Sequence, residues 1–162
     1  MRKILPGSLL LLVALALAPA FAQAANAVTY TSSSEGRVLV LLNGIRHAHG
    51  LAPLAPSIAL RGAAREHTTD MLRHGYFEHD SSTETFDKRI HRHLASSLVG
   101  ENIAWGTGRY GTPEGLVSLW MHSPSHRRII LMAGLHRVGL GIATGSFKGQ
   151  PGAIMATADF SV

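Results

Sequence analysis

The hydrophobic period changes once along this chain, and that change limits the folds open to it. Up to about residue 134 apolar residues recur at helical spacing. Beyond it, "RVGLGIATG" and "GAIMATADFSV" are short runs of small and branched residues separated by the turn-like "SFKGQPG". Two antiparallel strands in a hairpin are the natural reading. With helices first and strands last, the class is α+β or a layered α/β/α domain, and not a parallel doubly wound fold.

Within the helical part, Val38, Leu41, Leu42 and Ile45 predict a first helix over about 36–48, with Gly50 placed as its C-terminal cap. "LAPLAP" supplies a short loop whose Leu51 and Leu54 can pack onto the core. Ser57 is an N-cap for a second helix over 58–74, which carries Leu60, Ala64, His67 and Met71 on one face and closes at Gly75. A short helical piece follows near 84–93, between stretches rich in glycine and small residues. Thr112, Pro113 and Glu114 then open a helix bearing Leu116, Leu119 and Trp120. Ser123-Pro124 repeats that start signal for a shorter helix ending near Gly134.

The first residues read differently. Arg2 and Lys3, an apolar run from Leu9 to Ala18 and small residues at Ala20, Ala22 and Ala24 have the order of a secretory signal peptide. The expected division is a leader over 1–24, a small, polar linker over 25–35 and one domain over 36–162. An uncleaved anchor is the competing reading, but the run is short for a span of about 20 residues. The expected location is therefore secreted or extracytoplasmic, with no transmembrane segment after cleavage. There is no cysteine, so neither disulfides nor a thiolate nucleophile is available, which fits bacterial export. The net charge is +5, but the arginines are scattered along the chain. Nucleic-acid binding would want a basic stripe with stacking aromatics, whereas scattered charge suits loose affinity for anionic cell-surface polymers.

Ten histidines raise the question of a metal. His47, His49 and His74 end helices, where a polar or cationic side chain suits the dipole. His91 and His93 sit in a basic surface piece, and His122 and His136 stand alone. His67 falls on the apolar face of the second helix and reads as a buried histidine with one hydrogen-bond partner. His79 follows an aromatic pair in "YFEHD", and His126 lies in the first turn of its helix, where the dipole favours a neutral ring. Zinc wants three or four N, O or S ligands, for which His79, His126 and Glu101 are candidates, although no local H-E-x-x-H motif joins them. G-x-S-x-G, phosphate-loop and dinucleotide motifs are all missing.

The order of the motifs goes further. "LLNGIRHAHGLAPLAPSIALRGAAREHTTDMLRHGYFEHD", "GENIAWG", "WMHSPSHRRIIL", "RVGLGIA" and "ADF" resemble the bacterial branch of the CAP superfamily, which is named for cysteine-rich secretory proteins, antigen 5 and pathogenesis-related proteins and is also called SCP-like. The resemblance runs from about Val38 to Phe160. It implies a three-layer α-β-α sandwich with a small antiparallel sheet and a central cleft carrying two histidines and two acids. By motif, the histidines are His79 and His126 and the first acid is Glu101. Ser123 stands where many eukaryotic relatives have the second acid, and as an N-cap it has a competing task. Asn102 either orients the cleft or closes a turn. Trp105 and Trp120 read as core, and Tyr76 and Phe77 as anchors of the segment before His79 against the second helix.

These readings predict a secreted, non-enzymatic binding module. It takes Zn²⁺ or another divalent metal through His79 and His126 and engages a small-molecule, lipid or cell-surface ligand. The alternative is a metal-assisted hydrolase of peptides or cell-wall material, with Glu101 as base.

Overall fold

A computed structural model describes residues 28–162; the expected leader lies outside the described residues. In chain order the elements are β1 (Thr29–Tyr30), α1 (Ser32–Ala48), β2 (Ala55–Pro56), α2 (Ile58–His74), α3 (Phe86–His93), β3 (Val99–Gly106), a short 3-10 turn (Gly108–Gly111), α4 (Pro113–His122), α5 (Pro124–Ile130), β4 (Arg137–Phe147) and β5 (Gln150–Ser161). The sheet runs β1-β4-β5-β3 in antiparallel order, and β2 adds a short parallel pairing to β4.

The turn chemistry explains where most elements begin and end. Ser57 Oγ accepts the Leu60 N–H and Gly75 closes α2 in the left-handed region at φ 72°. Thr85 and Thr112 cap α3 and α4 in the same manner, with Pro113 in the first turn of α4. The β4–β5 hairpin turns on Lys148 and Gly149, both at positive φ, the signature of a two-residue primed turn whose twist matches the strands.

Helices cover both faces of the sheet. Leu140, Ile142, Ala156, Ala158 and Phe160 pack against Val38 and Leu42 of α1, Leu116 and Trp120 of α4 and Ile130 of α5. Successive strand residues point to opposite faces, so Gly139, Gly141, Thr157 and Asp159 lie under α2. The contact there is very close: a Cβ on Gly139 would sit 2.0 Å from the Arg61 nitrogen. Arg46 pins the end of α1 to the α5–β4 connection. It is fully buried and donates to the carbonyls of Ala52 (2.8 Å), Ile130 (2.8 Å), Met132 (3.0 Å) and Leu135 (3.0 Å).

Two expectations change. Part of the expected 25–35 linker belongs to the fold, because Thr29 and Tyr30 pair with β4 and α1 starts at Ser32. Bonds to distant partners hold this polar stretch: Thr31 N–H donates to Ile142 O at 2.9 Å, and buried Glu35 accepts twice from Arg65. The glycine-rich "GENIAWG" is strand β3 and pairs with β5 along its whole length.

Candidate functional site

β3 ends the strand order, and the candidate residues gather around it. Glu101 pairs with Asp159 and therefore points toward α2 and α3, while Asn102 points to the opposite face, toward α5. The Asn102 amide donates to the His126 carbonyl at 3.1 Å, so it orients α5 and does not close a turn. Trp120 donates its indole N–H to the Ile103 carbonyl and is buried, as expected. Trp105 is only partly buried and packs edge-on against Phe147, 5.0 Å between centroids.

His79 sits on the loop after α2, and three side chains hold that loop. His67 Nε2 donates to the Glu78 carbonyl at 2.9 Å, Arg89 donates to the His79 carbonyl at 3.2 Å, and Asp80 accepts the Phe86 N–H at 2.7 Å. Tyr76 anchors to α2 through Asp70, as expected, whereas Phe77 packs on Phe147 of the hairpin. The His79 ring is about half exposed, and its Nδ1 donates to Glu101 Oε1 at 2.7 Å.

Glu101 is the centre of the cluster. It is 1 % exposed, and its Oε2 accepts from Arg89 at 2.6 Å. Burial alone would push its carboxyl up, but the hydrogen bond from His79 and the charge of Arg89 hold it below the usual range. The hydrogen bond to Glu101 raises the His79 imidazole against the opposing cost of burial. His67, 3.9 Å from Glu101, is lowered by burial and is neutral at ordinary pH. The ring is buried as expected but has two hydrogen-bond partners where one was expected, the Glu78 carbonyl at 2.9 Å and the Tyr76 hydroxyl at 3.5 Å, and its role in placing His79 was not foreseen.

His126 comes from the opposite side of β3. Its Nδ1 lies 2.7 Å from Ser123 Oγ, and Ser123 Oγ lies 3.1 Å from Ser125 Oγ. Ser123 occupies the N-cap position of α5, but its hydroxyl makes no cap bond. The expected cap is therefore replaced by a grip on the imidazole. Burial, and then the charge of nearby His79, lower the His126 ring.

No group of three or more His, Cys, Asp or Glu among the described residues is arranged to hold a metal ion. Glu101 already accepts from His79 on one oxygen and from Arg89 on the other, and it is 1 % exposed. The donor set that remains is the Nε2 atoms of His79 and His126, neither with a hydrogen-bond partner among the described residues. Two imidazoles fall short of the four protein ligands of a closed structural zinc site and of the three of an open one, so water or a bound ligand would have to complete the coordination.

Sequence reasoning missed Arg89 and Asp159. Arg89 is 3 % exposed, and it also lines, with His67, Asp70, Arg73 and Glu84, a polar cavity of about 450 Å³. Asp159 is fully buried across the strand pair from Glu101. The "ADF" segment, which sets Asp159 between Ala158 and Phe160, was the one available signal; nothing in "FDKRI" separates Arg89 from the charged residues before it.

Comparison with known proteins places this geometry. The model of the cysteine-rich secretory protein family (CAP) matches residues 39–160. The uncharacterized protein YkwD of Bacillus subtilis (strain 168) is 37% identical over 140 residues, covering 82% of this chain and 53% of that protein. The chain thus spans about half the length of this curated relative. Among solved structures, an extracellular protein containing a SCP domain from Bacillus anthracis str. Ames is 28% identical with a TM-score of 0.65, covering 80% of this chain and 40% of that one. An outer surface protein from Borrelia burgdorferi shares the fold, with a TM-score of 0.74 at 18% identity over 84% of this chain and 97% of that one.

Proposed function

The chain belongs to the cysteine-rich secretory protein (CAP) family, and from that premise we propose that it is a secreted, non-enzymatic binding module that takes a divalent ion between His79 and His126. One observation carries the reading: both imidazoles are held through Nδ1, at 2.7 Å in each case, which leaves Nε2 as the outward donor. Ser123 can accept from His126 while donating to Ser125, so the required tautomer has a hydrogen-bond path. Glu101 and Ser123 act behind the metal-binding rings, where such partners fix orientation and raise basicity. Bound zinc would supply a cationic anchor for an anionic or lone-pair group of a small-molecule, lipid or cell-surface ligand.

The binding reading is favoured over hydrolysis by the state of Glu101. A general base needs a proton affinity near the working pH and access to the water it activates. Glu101 is buried, already accepts from two donors and is held below the ordinary range. Secretion is supported by the leader-like first residues and by neighbours described as extracellular or outer-surface proteins. No helix among the described residues is long and apolar enough to cross a membrane.

Titration calorimetry with Zn²⁺ tests the proposal. The wild-type domain should bind one equivalent, and His79→Ala and His126→Ala should each weaken binding at least tenfold. Equal binding by all three proteins, or no binding by the wild type, contradicts it.

A further inference from the structure

The family resemblance leaves the site one carboxylate short, because Ser123 stands where a second acid was expected. The sheet provides another. Ser57 N–H donates to Val138 O at 2.8 Å, so even-numbered residues of β4 turn their backbone groups away from β5. By the alternation of antiparallel ladders, Gly139 and Asp159 form a hydrogen-bonded pair, and Asp159 and Glu101 form a non-hydrogen-bonded one. In that arrangement side chains on one face approach most closely, with Cα atoms about 4.5 Å apart.

Asp159 is fully buried, and neither carboxyl oxygen has a hydrogen-bond partner among the described residues. The charged and titratable groups that face the carboxyl pair are Arg89 of α3, His67 of α2 and His79 of the loop. His67 is neutral, and the Arg89 charge is already balanced by Glu101 at 2.6 Å. A second anion there would lack both a donor and a cation of its own, and an uncompensated buried charge is far more costly than a neutral carboxyl. Burial and the Glu101 charge accordingly push the Asp159 carboxyl well above its usual range. A neutral carboxyl carries one O–H donor, and the acceptor across the strand pair is Glu101.

We propose that Asp159 is the second acid of this site: a neutral carboxylic acid that donates its proton to Glu101 and holds that carboxylate between Arg89 and His79. Asp159 is a positioning residue and touches no ligand. It acts through Glu101 on the His79 ring, fixing the hydrogen on Nδ1 and leaving Nε2 as acceptor. The importance of that free Nε2 rests on the binding reading, whereas the proton on Asp159 does not.

Infrared difference spectroscopy of the metal-free domain at neutral pH tests the proton directly. A protonated-carboxyl carbonyl band is expected in the wild type and lost in Asp159→Asn. No such band in the wild type, or its survival in Asp159→Asn, overturns the proposal. Nitrogen NMR of His79 tests the positioning: Asp159→Asn, which still donates, should keep the wild-type fraction of Nδ1–H tautomer, and the similarly sized Asp159→Leu should lower it. An unchanged tautomer in Asp159→Leu overturns the positioning role. Both measurements are made without metal, so failure to bind Zn²⁺ leaves their outcome readable.

Discussion

Replacing Arg89 by methionine should be among the most damaging changes this domain can suffer. The two side chains of the Arg89–Glu101 pair are 3 % and 1 % exposed and meet at 2.6 Å. Removing one partner of such a pair costs about 3–5 kcal/mol, because the other charge stays buried without compensation. At roughly 4 °C per kcal/mol for a domain of this size, the melting temperature should fall by roughly 12–20 °C. The loss should also depend on pH with a definite sign. In the wild type Glu101 is held below its usual range, so its contribution is present above that range and fades only as pH falls through the lowered value. Without Arg89 that benefit goes, and burial favours protonation of Glu101, so the deficit is smaller in acid than at neutral pH. Differential scanning calorimetry of wild type and Arg89→Met at about pH 5 and pH 8, with the Arg89→Met/Glu101→Gln double variant, measures both. A loss below about 1 kcal/mol, or a deficit equal at the two pH values, would refute the reasoning.

Three further substitutions probe the frame around the site. Arg46→Met strands four carbonyls, two of them buried, and should cost at least about 3 kcal/mol in urea denaturation. Arg46→Lys should not rescue it, since one ammonium cannot reproduce the guanidinium fork; recovery of the wild-type midpoint with lysine would speak against this. Gly139→Ala forces a Cβ into the α2 backbone and should destabilise by about 1–3 kcal/mol or more; an unchanged thermal melt would mean that α2 does not lie so close. Ser123→Ala should cost less than about 0.5 kcal/mol, below the typical loss of about 1 kcal/mol for a working N-cap, while shifting the His126 tautomer balance seen by NMR. A full cap penalty without a tautomer change would reverse that assignment.

What the sequence made legible follows from how local each cause is. α2 carries its own cap at Ser57 and its own left-handed terminator at Gly75, and its expected limits match the observed ones. The hairpin was readable because Lys148-Gly149 encodes a tight turn between two short-period runs. Motif order singled out His79, Glu101 and His126, two of which meet directly in the fold. β3 was obscured by its glycine and polar residues, which become strand-compatible only against β5. Arg89, Asp159 and Arg46 were missed for the same reason. Their partners lie 6 to 89 residues away in sequence, mostly beyond the reach of a local pattern. Ser123 was misassigned because an N-cap position and a histidine three residues later offer one hydroxyl two partners, and the structure gives it to the ring.

The central claim is that His79 and His126 are both held at Nδ1 and offer Nε2 to a common ion. Long-range nitrogen–proton NMR of the imidazoles, recorded with and without one equivalent of Zn²⁺, tests it most directly. The account predicts Nδ1–H for the neutral form of both rings and a zinc-induced shift at Nε2 of both. His126 carrying its hydrogen on Nε2, with neither ring responding to zinc, would contradict it.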